Sequence, residues 1–145
     1  MTQVIEPKEA LAKIREAFNN KSLAAQNCKT QCKYIYDEEV AGGLDAPLDV
    51  LLKVQTKCAV GVILNDESLT TVINKGLNED NSVNRLVYTG VIQFKSINDE
   101  MSFTALQNSH DKVCAALGIG LYKQAWDNLV EFEKTLTKLE GEYNG

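Results

Sequence analysis

Apolar residues along the chain recur at two different periods, and the change of period marks where its elements lie. From Pro7, Leu11, Ile14 and Phe18 step by three and four with Ala10 and Ala17 beside them, while Lys8, Glu9, Lys13 and Glu16 fall largely on the other side. That spacing predicts an amphipathic helix from Pro7 to about Asn19–Asn20, with proline at a first-turn position that needs no N–H donor. Residues 21–30 are polar and carry no period, which reads as a loop. The run Gln31-Cys32-Lys33-Tyr34-Ile35-Tyr36 alternates and is rich in aromatic and β-branched types, which suits a short strand. Asp45 is placed to cap a short helix carrying Leu48, Leu51 and Leu52.

The most apolar stretch, Thr56-Lys57-Cys58-Ala59-Val60-Gly61-Val62-Ile63-Leu64, is read as the buried centre of the fold, and Val54 to Leu64 as a second strand or a strand running into a helical turn. Gly61, inside it, offers a missing side chain where another element can approach closely. Asn65 to Ser68 supply capping residues ahead of Leu69, Val72, Ile73 and Leu77. The stretch from Val83 to Phe94 fits a helix or two strands, and its helical neighbours favour a helix. Ser96-Ile97-Asn98-Asp99 has capping form, after which Phe103, Leu106, His110, Val113 and Leu117 repeat at helical spacing. A last helix runs from about Leu121 to Glu140 on Leu121, Ala125, Leu129, Phe132, Leu136 and Leu139, with Gly141 as its stop. Tyr122 and Trp126, four apart on it, read as a core edge. The expected architecture is a mainly α-helical single compact domain over residues 1–145, with a small β-hairpin (α+β) joining the regions of Cys32 and Cys58, and with the first and last helices closing on Cys58–Leu64.

Length and composition change this picture little: 145 residues, 44% hydrophobic and 24% charged, suit one globular domain with a sizeable core. The net charge of −5 argues against direct nonspecific nucleic-acid binding, which wants a basic face. No apolar run approaches the ~20 residues of a membrane helix, and the amino terminus lacks the basic start and apolar segment of a signal peptide. A cytoplasmic location with no membrane partner is expected, and there Cys28, Cys32, Cys58 and Cys114 are expected as thiols, metal ligands or reactive groups.

Three chemistries compete for those cysteines and for His110, the one histidine. His110 sits on the apolar stripe of its helix, where an imidazole serves as a core group holding a backbone group or a tyrosine hydroxyl. As a catalytic set, Cys58 would be nucleophile and His110 base, with Asp111, Asn108 or a distant residue as orienter, although Asp111 points about 100° away around the helix. As a zinc site, Cys28 and Cys32 four apart would join His110 and Cys114, also four apart. No phosphate-binding or dinucleotide glycine motif and no diagnostic carboxylate pair is present.

The pattern Cys32-x-Tyr34, then Cys58-Ala59-Val60-Gly61 with Asp66 after it, then Leu106-Gln107-x-x-His110-Asp111 and Trp126, resembles a group of small bacterial and phage proteins with no assigned activity. The resemblance covers residues 28–135, with Ile35 standing where that pattern has an arginine. It implies a phage or mobile-element accessory protein. The function expected is that of a non-enzymatic binding or inhibitor protein, an antidefence protein being one version. It would act by stoichiometric contact with a host protein or a small-molecule ligand and need no cofactor. A Cys–His hydrolase or a small structural zinc domain are the alternatives.

Overall fold

A computed structural model describes residues 2–27, 33–34, 57–78 and 82–144. Strand β1 (Gln3–Ile5) leads into helix α1 (Pro7–Asn19), then a 3-10 turn at Ala24–Asn27. A second 3-10 turn, Gly61–Ile63, precedes helix α2 (Asp66–Asn74) and the short helix α3 (Val83–Tyr88). Strand β2 (Ile92–Phe94) and the long helices α4 (Ile97–Gly118) and α5 (Tyr122–Asn144) complete the described chain. Among the described residues the fold is mainly helical with one small sheet, as expected of the fold class. No helix among the described residues is long and apolar enough to cross a membrane.

The sheet differs in place and sense from the expected hairpin. It is a parallel pair, Gln3 opposite Ile92 and Ile5 opposite Phe94, and a parallel pair needs a long crossover instead of a tight turn. Among the described residues near Cys58, Leu23 and Lys57 form an isolated parallel bridge. Cys32, the other end of the expected hairpin, and the helix expected after Asp45 lie outside the described residues. The stretch 83–94 also divides, because Gly90 at φ +80° turns the chain out of α3. Its N–H bonds Val87 O while the Val91 N–H reaches back to Leu86 O, the paired closure that satisfies a helix's last carbonyls. Gly141 does not act as a stop, since α5 continues through it to Asn144. Nothing stands within 4 Å of where its Cβ would be, and exposed glycine is tolerated in a helix at modest cost.

Helix ends explain most of the remaining boundaries. Asn65, Ser82 and Ser96 each accept the N–H three residues on, from Ser68, Arg85 and Asp99. The closure seen at Gly90 recurs at α1, where the left-handed position is filled by Lys21 at φ 56°. The Lys21 N–H bonds Phe18 O and the Ser22 N–H bonds Ala17 O.

The core gathers Leu11 and Ile14 of α1, Leu69 and Val72 of α2, Phe103 and Leu106 of α4, and Phe132, Leu136 and Leu139 of α5 around the run from Cys58 to Leu64. Cys58, Ala59 and Val60 have no exposure at all. Burying each large side chain of this set contributes about 1.5–3 kcal/mol. A smaller cluster of Ala25, Val113, Cys114, Ala116 and Ala125 fills the space between α4 and α5. Gly61 is the point of closest approach: a Cβ there would collide with the carbonyl oxygen of Tyr34 and lie 3.1 Å from its carbonyl carbon and 3.2 Å from Lys57 Cβ. Gln3 fastens β1 to the end of the same turn, donating from Nε2 to Ile63 O (2.8 Å) and accepting at Oε1 from the Asn65 N–H (2.9 Å).

Two substitutions test this backbone reading with opposite signs. Gly61→Ala drives a methyl group into the Tyr34 peptide and should cost about 1–3 kcal/mol. Lys21→Gly removes the left-handed penalty of a side-chain residue and should stabilise by about 0.5–1 kcal/mol. Chemical denaturation midpoints at neutral pH read both, and a change of the same sign in the two variants contradicts the local geometry.

Candidate functional site

α4 brings together the polar side chains of Gln107, His110 and Asp111 on or beside its apolar face. Spacings of three and four set Gln107 beside the other two, and Gln107 and His110 are 5% and 0% exposed. The Ala25 N–H donates to His110 Nε2 at 3.1 Å. A backbone N–H can only donate, so Nε2 carries the lone pair and the ring proton sits on Nδ1. Nδ1 lies 3.1 Å from Asp111 Oδ1, to which it donates. The same Oδ1 accepts from Gln107 Nε2 at 2.8 Å, and Gln107 Oε1 accepts from the Val60 N–H at 2.8 Å. One connected chain of hydrogen bonds thus runs from the Ala25 backbone through His110, Asp111 and Gln107 to the Val60 backbone.

Asp111 therefore does touch His110. The angular separation of successive residues on a helix keeps their Cβ atoms apart, but a carboxylate held by Gln107 one turn back can curl over the neighbouring ring. The ring is also packed edge-on against Phe132, with centroids 6.1 Å apart and planes at 78°.

Cys58 lies at the other side of this network. It is fully buried, and its Sγ accepts from the Gly61 N–H at 3.3 Å. Burial pushes the thiol well above its ordinary range, and the Asp111 charge adds to the effect. Burial likewise raises the Tyr34 phenol, with Cys58 and Asp111 contributing after it. The three residues of the sequence-predicted catalytic set are thus drawn into one region. Both nitrogens of His110, however, are engaged, with Ala25 and Asp111, so the ring offers the sulfur no free lone pair. What it does chemically is to satisfy two buried backbone donors and keep a thiol and a phenol protonated.

Of the expected metal ligands, His110 and Cys114 are buried one turn apart on α4, and Cys28 and Cys32 lie outside the described residues. Zinc on His110 Nε2 would have to displace the Ala25 N–H. Among the described residues no group of three or more His, Cys, Asp or Glu side chains is placed to hold a metal ion.

Two features are new from the structure. Gln107, quoted in the Leu106–Asp111 motif without a role, is the link between the two halves of the network. Tyr122 and Trp126, expected at a core edge, are instead 71% and 68% exposed. They form a stripe with Val130 on α5, next to Ile119 and Leu121 in the α4–α5 turn, all exposed. Compared with known protein families, curated proteins and solved structures, the chain matches none.

Two predictions follow from the burial. His110→Ala leaves a cavity and an orphaned Ala25 N–H and should cost about 2–4 kcal/mol in a urea melt; a variant as stable as the parent contradicts the buried placement. Alkaline pH should also destabilise the fold. Cys58 and Tyr34 hold their protons when folded, whereas the unfolded chain releases them from about pH 8.5 and pH 10. In that window the unfolded state binds fewer protons, so stability falls as pH rises, by up to about 1.4 kcal/mol per pH unit for each group. Lys57, whose ammonium is lowered chiefly by burial, opposes this in part. Melts from pH 7 to 10.5 should show the decline, and Tyr34→Phe should flatten its upper part; a flat profile contradicts the burial of these groups.

Proposed function

We propose that the protein is a non-enzymatic binding protein that acts by stoichiometric contact with another protein. The observation that carries this is the exposed apolar group at the α4–α5 end, Ile119, Leu121, Tyr122, Trp126 and Val130. Large apolar side chains scattered singly over a surface need no explanation, but a contiguous group marks a contact surface. Tyrosine and tryptophan are also the residue types enriched at the centres of protein interfaces. The polar network around His110 supports the same reading from inside, because both ring nitrogens are engaged, with Ala25 and Asp111.

The resemblance of the Cys58–Gly61 and Leu106–Asp111 motifs to small bacterial and phage proteins gives the setting: an accessory protein of a phage or mobile element, cytoplasmic, with a host protein as its target. Inhibition of a host defence protein is one form this would take.

The experiment compares the parent chain with Trp126→Ala as immobilised bait in bacterial lysate. Trp126 is exposed, so its loss should change stability by no more than about 0.5 kcal/mol. At least one partner, captured in fixed stoichiometry by the parent and lost with the variant, is expected. Capture of nothing, or equal capture by both chains, counts against the reading.

A further inference from the structure

We infer that the surface is built to receive a second copy of this chain, α5 against α5 in antiparallel sense about a two-fold axis near Ala125. This rests on the contact-surface reading above and names an occupant that the chain itself supplies. One side of α5 carries Tyr122, Trp126, Val130, Glu133, Thr137 and Glu140, which steps of three and four keep within one face. α1 runs beside the far half of that face: Arg15 reaches Glu133 (3.1 Å), Thr137 (3.1 Å) and Glu140 (2.6 Å), with Glu133 and Thr137 still exposed, and the Phe18 ring stands 6.1 Å from Phe132. Past the end of α1 the composition of the face changes from polar to apolar, and its apolar residues are exposed. An apolar stripe along one helix is a face that another helix fits.

Charge selects which helix. Lys123 and Asp127 flank the apolar stripe on one side, both exposed, two residues before and two after Ala125, or about 3 Å to either side along the axis. A two-fold axis perpendicular to α5 keeps each flank against the same flank of the other copy and reverses its direction. Lys123 of one copy then stands level with Asp127 of the second copy, and the pair occurs twice. The same operation brings Trp126 against Trp126 near the centre and sets Tyr122, Leu121 and Val130 outside them, an isologous arrangement in which one patch is its own complement. A parallel pairing would instead turn the Lys123–Asp127 flank against the opposite flank of the other copy, where Ala125 and Leu129 stand, and pair neither charge.

Sedimentation equilibrium of the purified chain tests this, with no other protein present. The parent should dimerise at about 100 µM, and Trp126→Ala should be monomeric there with an unchanged far-UV spectrum. Lys123→Glu should weaken the dimer several-fold, and the charge swap Lys123→Glu with Asp127→Lys should restore it. A monomeric parent overturns the inference, as does a dimer that survives Trp126→Ala or a charge swap that restores nothing. A monomeric parent leaves the contact-surface reading to the lysate comparison, where a Trp126-dependent partner would identify a different protein as occupant. A dimer with no such partner would sustain this inference and defeat the host-target reading.

Discussion

The backbone N–H groups of Ala25 and Val60 lie in irregular segments packed into the core, where neither finds a partner in a helix or strand ladder. Leaving a buried donor unpaired costs about 1–3 kcal/mol, so the folded chain depends on α4 to supply acceptors for both. His110 and Gln107 do so, and the Asp111 carboxylate fixes the orientation of each by accepting from both. The arrangement is cooperative in a definite sense: turning the imidazole over would exchange Nε2 with Cε1 and Nδ1 with Cδ2, leaving the Ala25 N–H without its acceptor and Asp111 without its ring donor. It also fixes where the turn at Gly61 sits, and with it the close approach of the Tyr34 peptide. The packing of α1, α2 and α5 around Cys58–Leu64 follows from that position.

Much of this was legible in the sequence. Helical periodicity placed α1, α2, α4 and α5, and Asn65 and Ser96 announced two of the starts. The apolar run with Gly61 inside it named both the centre of the core and the residue across which another segment would pass. Three-residue strands such as β1 and β2 are too short to carry a period of their own. Their pairing joins positions nearly ninety residues apart, which no local pattern reports. The split of 83–94 turned on one backbone angle at Gly90, and Lys21 hides the same device behind a side chain that carries no such signal.

The site was legible in membership but not in wiring. Cys58, His110 and Asp111 stood out by residue type, and the structure gathers them, yet the acceptors and donors that decide their chemistry are backbone groups of Ala25 and Val60 and the amide of Gln107. Backbone partners have no residue type to read. The exposure of Tyr122 and Trp126 was hidden for a related reason: their spacing reports a shared helix face, while no local pattern reports whether a neighbouring element covers it.

Because the chain has one histidine, the state of its ring can be observed without ambiguity. Long-range nitrogen–proton correlation spectra of uniformly labelled protein distinguish a protonated ring nitrogen from one with a free lone pair. The hydrogen-bond chain requires the proton on Nδ1 and the lone pair on Nε2 at neutral pH, with the Ala25 amide proton among the slowest to exchange with solvent. An Nε2-protonated ring, or a rapidly exchanging Ala25 amide, would contradict the network on which this account of the fold rests.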